Sequence, residues 1–469
     1  DMVSILKNYL YKNQKEKKAG EIMPSGRKVF LKEFFVLALP IMLQQLSGTI
    51  LNICDTIMVG KISDKAISAV TVANKTYLIY ALFIYGISSG IMMFMSQYYG
   101  AKKYKLAKNT LKFGLEVCII ITAIFVIAIV LFPTFFIHIF VSGKEILDLG
   151  TQYIRIVVWS YIPMALSQIL AVYFRVFKKQ NIPGVMSMVS VGLNILFNYM
   201  LIYGKLGMPR LEIEGAALAT TVARYLEFMV LFTILMLFHN GKEIFKASAV
   251  KLSISKKIEI IRKTIPLMFN EGMWAIALSL VFRNYCRVSE TYIPAITVVD
   301  NVFDLLNVAY YGCSVAAGIV IGKVLGTGNM KKAWTTSKKL IAICLTTSIS
   351  ATVLICATSG VLPRFFSLTG SVYTMATTLL IMKAMFGWTQ GYSETIYYII
   401  RAGGDVKAVL VIDGLFMLYG PFLMSTIVSY GTNWPIQIVY LCTEATYIIK
   451  IIVATYFYRR KKWCRNLTE

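Results

Sequence analysis

The chain has 469 residues, 57% of them hydrophobic and only 15% charged, with a mean hydropathy of +0.66. So few charges cannot cover a water-soluble surface of this size, which leaves an all-α protein that crosses a membrane many times. A net charge of +25 would suggest nucleic acid in a soluble chain, but no nucleic-acid motif accompanies it, and the placement of the charges gives them another meaning.

The first 32 residues form a basic tail with no continuous apolar run, so no cleavable signal peptide is expected, and Met2 is read as the natural start. Twelve apolar segments follow, at about 34–60, 68–99, 111–132, 150–174, 183–204, 213–238, 260–282, 292–322, 340–360, 374–400, 408–430 and 435–457. At about 1.5 Å per residue each reaches across a ~30 Å hydrocarbon core. Pro40 and Pro266 fall inside the first and seventh and are expected to bend them.

Lys and Arg are unevenly spread between the spans. The tails and the loops after even-numbered spans hold 35, and the opposite side holds eight. Both termini are therefore expected in the cytoplasm of a plasma-membrane protein, where the tails can also meet anionic lipid. The eight cysteines never form a C-x-x-C pair, and His138 and His239 each lie near a span end. No metal site, cofactor or nucleophile–base constellation is read, so an enzyme is not expected.

An internal repeat organises the chain. Shifting the second half back by 226 residues sets Pro266 on Pro40, Gly312 on Gly86, Gly326 on Gly100, Ala333 on Ala107 and Arg401 on Arg175. Six spans per half is an even number, so the halves enter the membrane alike. The expected architecture is two six-helix bundles related by a pseudo-two-fold axis along the membrane normal. The corresponding segments are a tail (1–32), an N-lobe (33–238), a linker (239–258), a C-lobe (259–458) and a basic tail (459–469).

Ionisable groups inside spans are costly and mark function. Asp55 lies fifteen residues beyond Pro40 in the first span and corresponds to Val281 in the repeat. In the other direction, Gln45, Asn74 and Gln168 correspond to Glu271, Asp300 and Glu394, so the C-lobe gains carboxylates where the N-lobe has amides. Asp300 and Asp304 share a helix face. Glu271 and Glu394 lie about 14 Å and about 10 Å from the basic ends of their helices, so the two acids are possible neighbours. Carboxylates gathered in a low-dielectric cleft hold a proton or a cation. The plainer alternative is structural pairing, for example with Lys383. Lys75, Tyr77, Trp274 and Tyr310, with Gln45 and Gln168, are candidate lining residues of a substrate cavity.

The runs L-P-I-M-L-Q-Q-L and C-D-T-I-M-V-G (39–60), G-x-x-x-G before S-Q-Y-Y-G-A (86–101), L-N-I-L-F-N (193–198), E-G-A-A-L-A-T (214–220) and R-A-G-G-D (401–405) together resemble the multidrug and toxic compound extrusion (MATE) family of bacteria. The resemblance covers the chain from about residue 30. It implies an alternating-access antiporter that exports amphipathic, often cationic, compounds against protons or sodium ions. It also implies coupling roles for Asp55 and Asn194, with Asn198 standing where the family often has a second aspartate. Glu271 matches a helix-seven glutamate whose helix-ten partner falls near Gln390 or Glu394. The chain is expected to work as a monomer on small organic molecules in a lipid bilayer. The alternative weighed is a flippase for lipid-linked saccharides, which Lys75, Arg155 and Arg224 would suit; the C-lobe acids argue against it.

Overall fold

A computed structural model describes residues 27–141, 143–238, 244, 252–366, 368 and 370–468. The expectations for residues 1–26 and for most of the linker fall outside these. Twelve long helices follow the twelve apolar segments: α1 (Arg27–Gly60), α2 (Asp64–Gly100), α3 (Tyr104–Leu131), α4 (Lys144–Val176), α5 (Asn181–Tyr203), α6 (Glu212–Phe238), α7 (Ile254–Val288), α8 (Ile293–Gly326), α9 (Met330–Thr358), α10 (Gly370–Ala402), α11 (Val406–Gly431) and α12 (Ile436–Arg459). Among the described residues, eleven are long and apolar enough to cross a membrane. The remaining one, α10, is 33 residues long but carries Lys383, Glu394 and Arg401.

Local sequence explains the boundaries. Side-chain oxygens of Ser63, Ser253, Asn329 and Asp405 cap α2, α7, α9 and α11 by accepting backbone N–H bonds. Gly204 closes α5 with φ of 66°, a left-handed turn that a Cβ would strain. Three details differ from the apolar reading. The fourth span narrows to one 3₁₀ turn at Val158–Ser160. A short helix, Pro133–His138, uses the proline at its first position. In α11, wide π turns occupy Val411–Leu415 and Leu418–Phe422. The helices α1 and α7 continue through Pro40 and Pro266.

The repeat is visible as reciprocal contacts across one seam. A Cβ on Gly86 would stand 2.7 Å from Met268 Cα, and one on Gly312 would stand 3.0 Å from Met42 N. Both pairs obey the 226-residue offset. So does the next pair: Gly100 rests on the Lys323 carbonyl, and Gly326 rests on that of Gln97. Such mutual contacts are the signature of a two-fold axis. Tyr85 and its counterpart Tyr311 meet near it, ring centroids 6.3 Å apart, and Tyr398 caps them through its hydroxyl contact with Tyr85.

At the basic end the seam is sealed. Gln97 Nε2 donates to the Ala402 carbonyl at 2.7 Å, and Leu467 N donates to Gln97 Oε1 at 2.6 Å. The final residues, the basic segment 459–469, pack here because Trp463 and Leu467 are apolar anchors. Trp463 is fully buried and stacks on Tyr458. At the lysine-poor end the lobes part. The helix face of α2 that carries Gly86 continues outward through Thr71, Lys75, Leu78 and Ile79. The matching face of α8 continues through Thr297, Asn301, Asp304 and Leu305. All eight residues are exposed, each at its repeat-equivalent position. A face that is buried in the seam at one end and exposed at the other defines a cleft that opens at the lysine-poor end.

A Gly100→Val change drives a side chain into the Lys323 carbonyl and is expected to destabilise the protein by about 1–3 kcal/mol. Gly48→Ala, which meets nothing within 4 Å, is the control. Thermal unfolding in detergent reads the difference, and equal midpoints for the two variants would refute the seam.

Candidate functional site

Each lobe holds a buried polar cluster. In the N-lobe, Asn198 Nδ2 donates to Asp55 Oδ1 at 2.6 Å and to Asn194 Oδ1 at 3.0 Å, and Asn194 Nδ2 donates to Thr220 Oγ1 at 3.1 Å. Asp55 is thus not isolated. Helix α5 presents Asn194 and Asn198 one turn apart on the face toward α1, and Asn198 Oδ1 remains buried without a partner. Arg224 pairs with Glu227 at 3.2 Å and is an electrostatic neighbour of Asp55. Arg175 is buried and donates to Gln44.

The C-lobe cluster is denser. Arg401 Nη1 donates to Glu271 Oε1 at 3.1 Å and to the Tyr397 hydroxyl at 2.7 Å, and that hydroxyl donates to Glu271 Oε1 at 3.1 Å. Asn270 Nδ2 reaches the Tyr397 oxygen at 3.2 Å and Asp413 Oδ2 at 3.0 Å. The π turn of α11 leaves the Gly414 amide free to donate to Asn270 Oδ1 at 2.9 Å. Lys450 Nζ lies 2.9 Å from Asp413 Oδ1 and 3.7 Å from Glu394 Oε1. Three carboxylates therefore share two cations, and the cluster needs one more positive charge to be neutral. Glu394 is the least compensated of the three, and its side chain is 23% exposed.

Several expectations are redrawn by this geometry. Glu271 and Glu394 belong to one network but are bridged by Arg401, Asp413 and Lys450 rather than by direct contact. Arg401 was counted with the loop charges, yet it is 1% exposed and stands within 5.8 Å of the Tyr85, Tyr397 and Tyr398 rings. Asp300 forms an ion pair with Lys383 at 2.5 Å, as its structural alternative held. Asp304 is exposed toward the cleft with Asn307 as its hydrogen-bond partner. Tyr310 donates to Gln390 Oε1 at 2.8 Å. Lys75 and Gln45 are exposed; Gln168 is half-buried; Tyr77 packs edge-on to Tyr161; Trp274 packs with Phe416 and Met417. Nothing in the sequence pointed to Thr220 or Asn270, and Tyr397, one of many aromatics that could stack on a substrate, serves instead as a hydrogen-bond hub, with Lys450 beside Asp413. The pairing of Arg175 with Arg401 in the repeat was the available clue that neither arginine is a loop residue.

The family model MatE matches residues 40–200 and 268–427, one match in each lobe. The chain belongs to the MatE family. Among curated relatives of this MatE transporter, the multidrug resistance protein NorM of Vibrio vulnificus is 23% identical over 86% of this chain and 88% of its own length. The probable multidrug resistance protein NorM of Thermotoga maritima is 25% identical over 70% and 67%. The fold of the MatE chain matches an outward-facing multidrug resistance MATE transporter with a TM-score of 0.84 at 17% identity, over 92% of this chain and 95% of the other. A second structure, a Pyrococcus furiosus transporter described as having a binding pocket of reverse polarity, matches with 0.82 at 16% identity, over 92% and 95%.

Within the MatE C-lobe, Lys450→Met leaves Asp413 and Glu394 without their shared ammonium and is expected to cost about 3–5 kcal/mol. Adding Asp413→Asn should recover part of that loss. A double-mutant cycle on unfolding in detergent measures the coupling, and simple additivity would contradict the network.

Proposed function

We propose that the protein is a secondary active antiporter of the plasma membrane, exporting amphipathic, often cationic, organic compounds in exchange for protons by alternating access. Both termini are cytoplasmic in this reading, so the cleft opens outward. The observation that carries it is the C-lobe cluster of Glu271, Asp413 and Glu394 with, among the described residues, only Arg401 and Lys450 as counter-charges. A lone missing positive charge beside a cleft is satisfied either by a coupling ion or by a cationic substrate, so the two compete for one site. Protons are favoured over sodium because Arg401 and Lys450 already hold Glu271 Oε1 and Asp413 Oδ1, two of the carboxylate oxygens that a metal ion would need. Asp55, hydrogen-bonded to Asn198, is a second proton acceptor in the N-lobe. Names of the relatives favour drug-like substrates, and the acid-rich C-lobe wall disfavours an anionic lipid-linked saccharide.

Uptake of protons into proteoliposomes, driven by outward movement of a fluorescent cation with the sodium gradient clamped, tests this. Wild type is expected to exchange the two. Glu394→Gln and Glu271→Gln are expected to reduce proton-linked flux strongly, with Asp55→Asn weaker. Unchanged flux in both Glu271→Gln and Asp55→Asn would sink the proposal, and sodium-dependent flux with protons clamped would replace the proton with sodium.

A further inference from the structure

Glu444, on α12 and two turns from Lys450, takes no part in the cluster just described. It is 6% exposed, and its Oε2 is buried without a hydrogen-bond partner. One turn earlier on the same helix, the Tyr440 hydroxyl is likewise buried and unpartnered. The charged and titratable groups around Glu444 are Lys383 of α10, Asp300 of α8 and Tyr285 of α7, with Tyr440 and Tyr447 on its own helix. Lys383 is already bound to Asp300 at 2.5 Å. Two carboxylates thus share one ammonium, and the one with the orphaned oxygen is the one cut off from water. An ionised carboxylate cannot remain there without a further positive charge. Tyrosine rings and one ammonium supply no cage of oxygens for a metal ion, so the charge that fits is a proton.

We infer that Glu444 is a further proton-binding carboxyl, separate from both Asp55 and the Glu271–Asp413–Glu394 cluster and filled from the outward cleft past Asp300 and Asp304. The geometry supplies the route. Asp304 is exposed on the cleft wall, and the Asp300 side chain is 45% exposed and paired with Lys383, whose ammonium is an electrostatic neighbour of Glu444. In the loading step, a hydronium ion in the cleft becomes water as the Glu444 carboxylate becomes a carboxyl. Its role in exchange rests on the antiport reading above; its protonation does not.

Infrared difference spectroscopy on the purified full-length protein in lipid, without drug or gradient, tests the site directly. Wild type is expected to show a protonated-carboxyl C=O band that shifts in D2O, disappears in Glu444→Gln and moves in Glu444→Asp. The same set of bands in wild type and Glu444→Gln would overturn the proposal. In proteoliposomes, Glu444→Gln is expected to lower the number of protons moved per drug molecule, and an unchanged ratio would overturn its part in exchange. If wild type moves no protons with drug, the antiport reading fails, while the infrared result still decides whether Glu444 binds a proton.

Discussion

Inside the C-lobe, Glu271, Asp413 and Glu394 have, among the described residues, only Arg401 and Lys450 as buried counter-charges, and the surrounding hydrogen bonds are built around that shortfall. A net charge away from water is tolerated where the surroundings supply hydrogen bonds, and here they supply most of them, although Arg401 Nε and Nη2 stay buried without a partner among the described residues. The Tyr397 hydroxyl accepts from Arg401 and Asn270 and donates to Glu271, using its full capacity. The π turn in α11 is the backbone's contribution, since it turns the Gly414 amide to Asn270, whose own amide then holds Asp413. The cluster is thereby fixed in place except at Glu394, the member nearest the cleft.

The cluster also touches the seam. Arg401 lies beside Tyr85, which belongs to the other lobe and meets Tyr398 and Tyr311 at the pseudo-two-fold axis. A change of charge at Glu271 alters the field on Arg401, and Arg401 presses on the aromatic group where the lobes join. The glycines at 86, 100, 312 and 326 let the helices approach closely enough for this contact. With the closing contacts of Gln97, Ala402 and Leu467 at the basic end, the two lobes form one packed unit there and separate walls at the other end.

Much of this was legible in the sequence because it is written in repeated, periodic features. The apolar runs marked the twelve helices, and the 226-residue offset paired Gly86 with Gly312, the two positions that then meet Met268 and Met42 reciprocally across the seam. The amide-to-acid exchanges at Gln45/Glu271 and Gln168/Glu394 pointed to the C-lobe. Less legible was anything that depends on which side chain a charge meets. Arg401 looked like a loop charge because it ends an apolar run, and only packing against Tyr85 and Glu271 reveals it as interior. Lys450 is an intramembrane base whose partner Asp413 sits on a π turn that no hydrophobic period announces. The packed final segment was hidden because its Lys and Arg residues outweigh Trp463 and Leu467 in any measure of composition.

Spin labels at Ile79 and Leu305, one on each wall of the cleft, measure the opening directly when placed on a cysteine-free background. The account expects their separation to change with pH in wild type. A pair at Lys102 and Lys331 on the basic end should change in the opposite sense, and both responses should be lost or displaced in Glu394→Gln. Separations indifferent to pH in wild type, or a response left intact by Glu394→Gln, would contradict the link between the C-lobe charge and the seam.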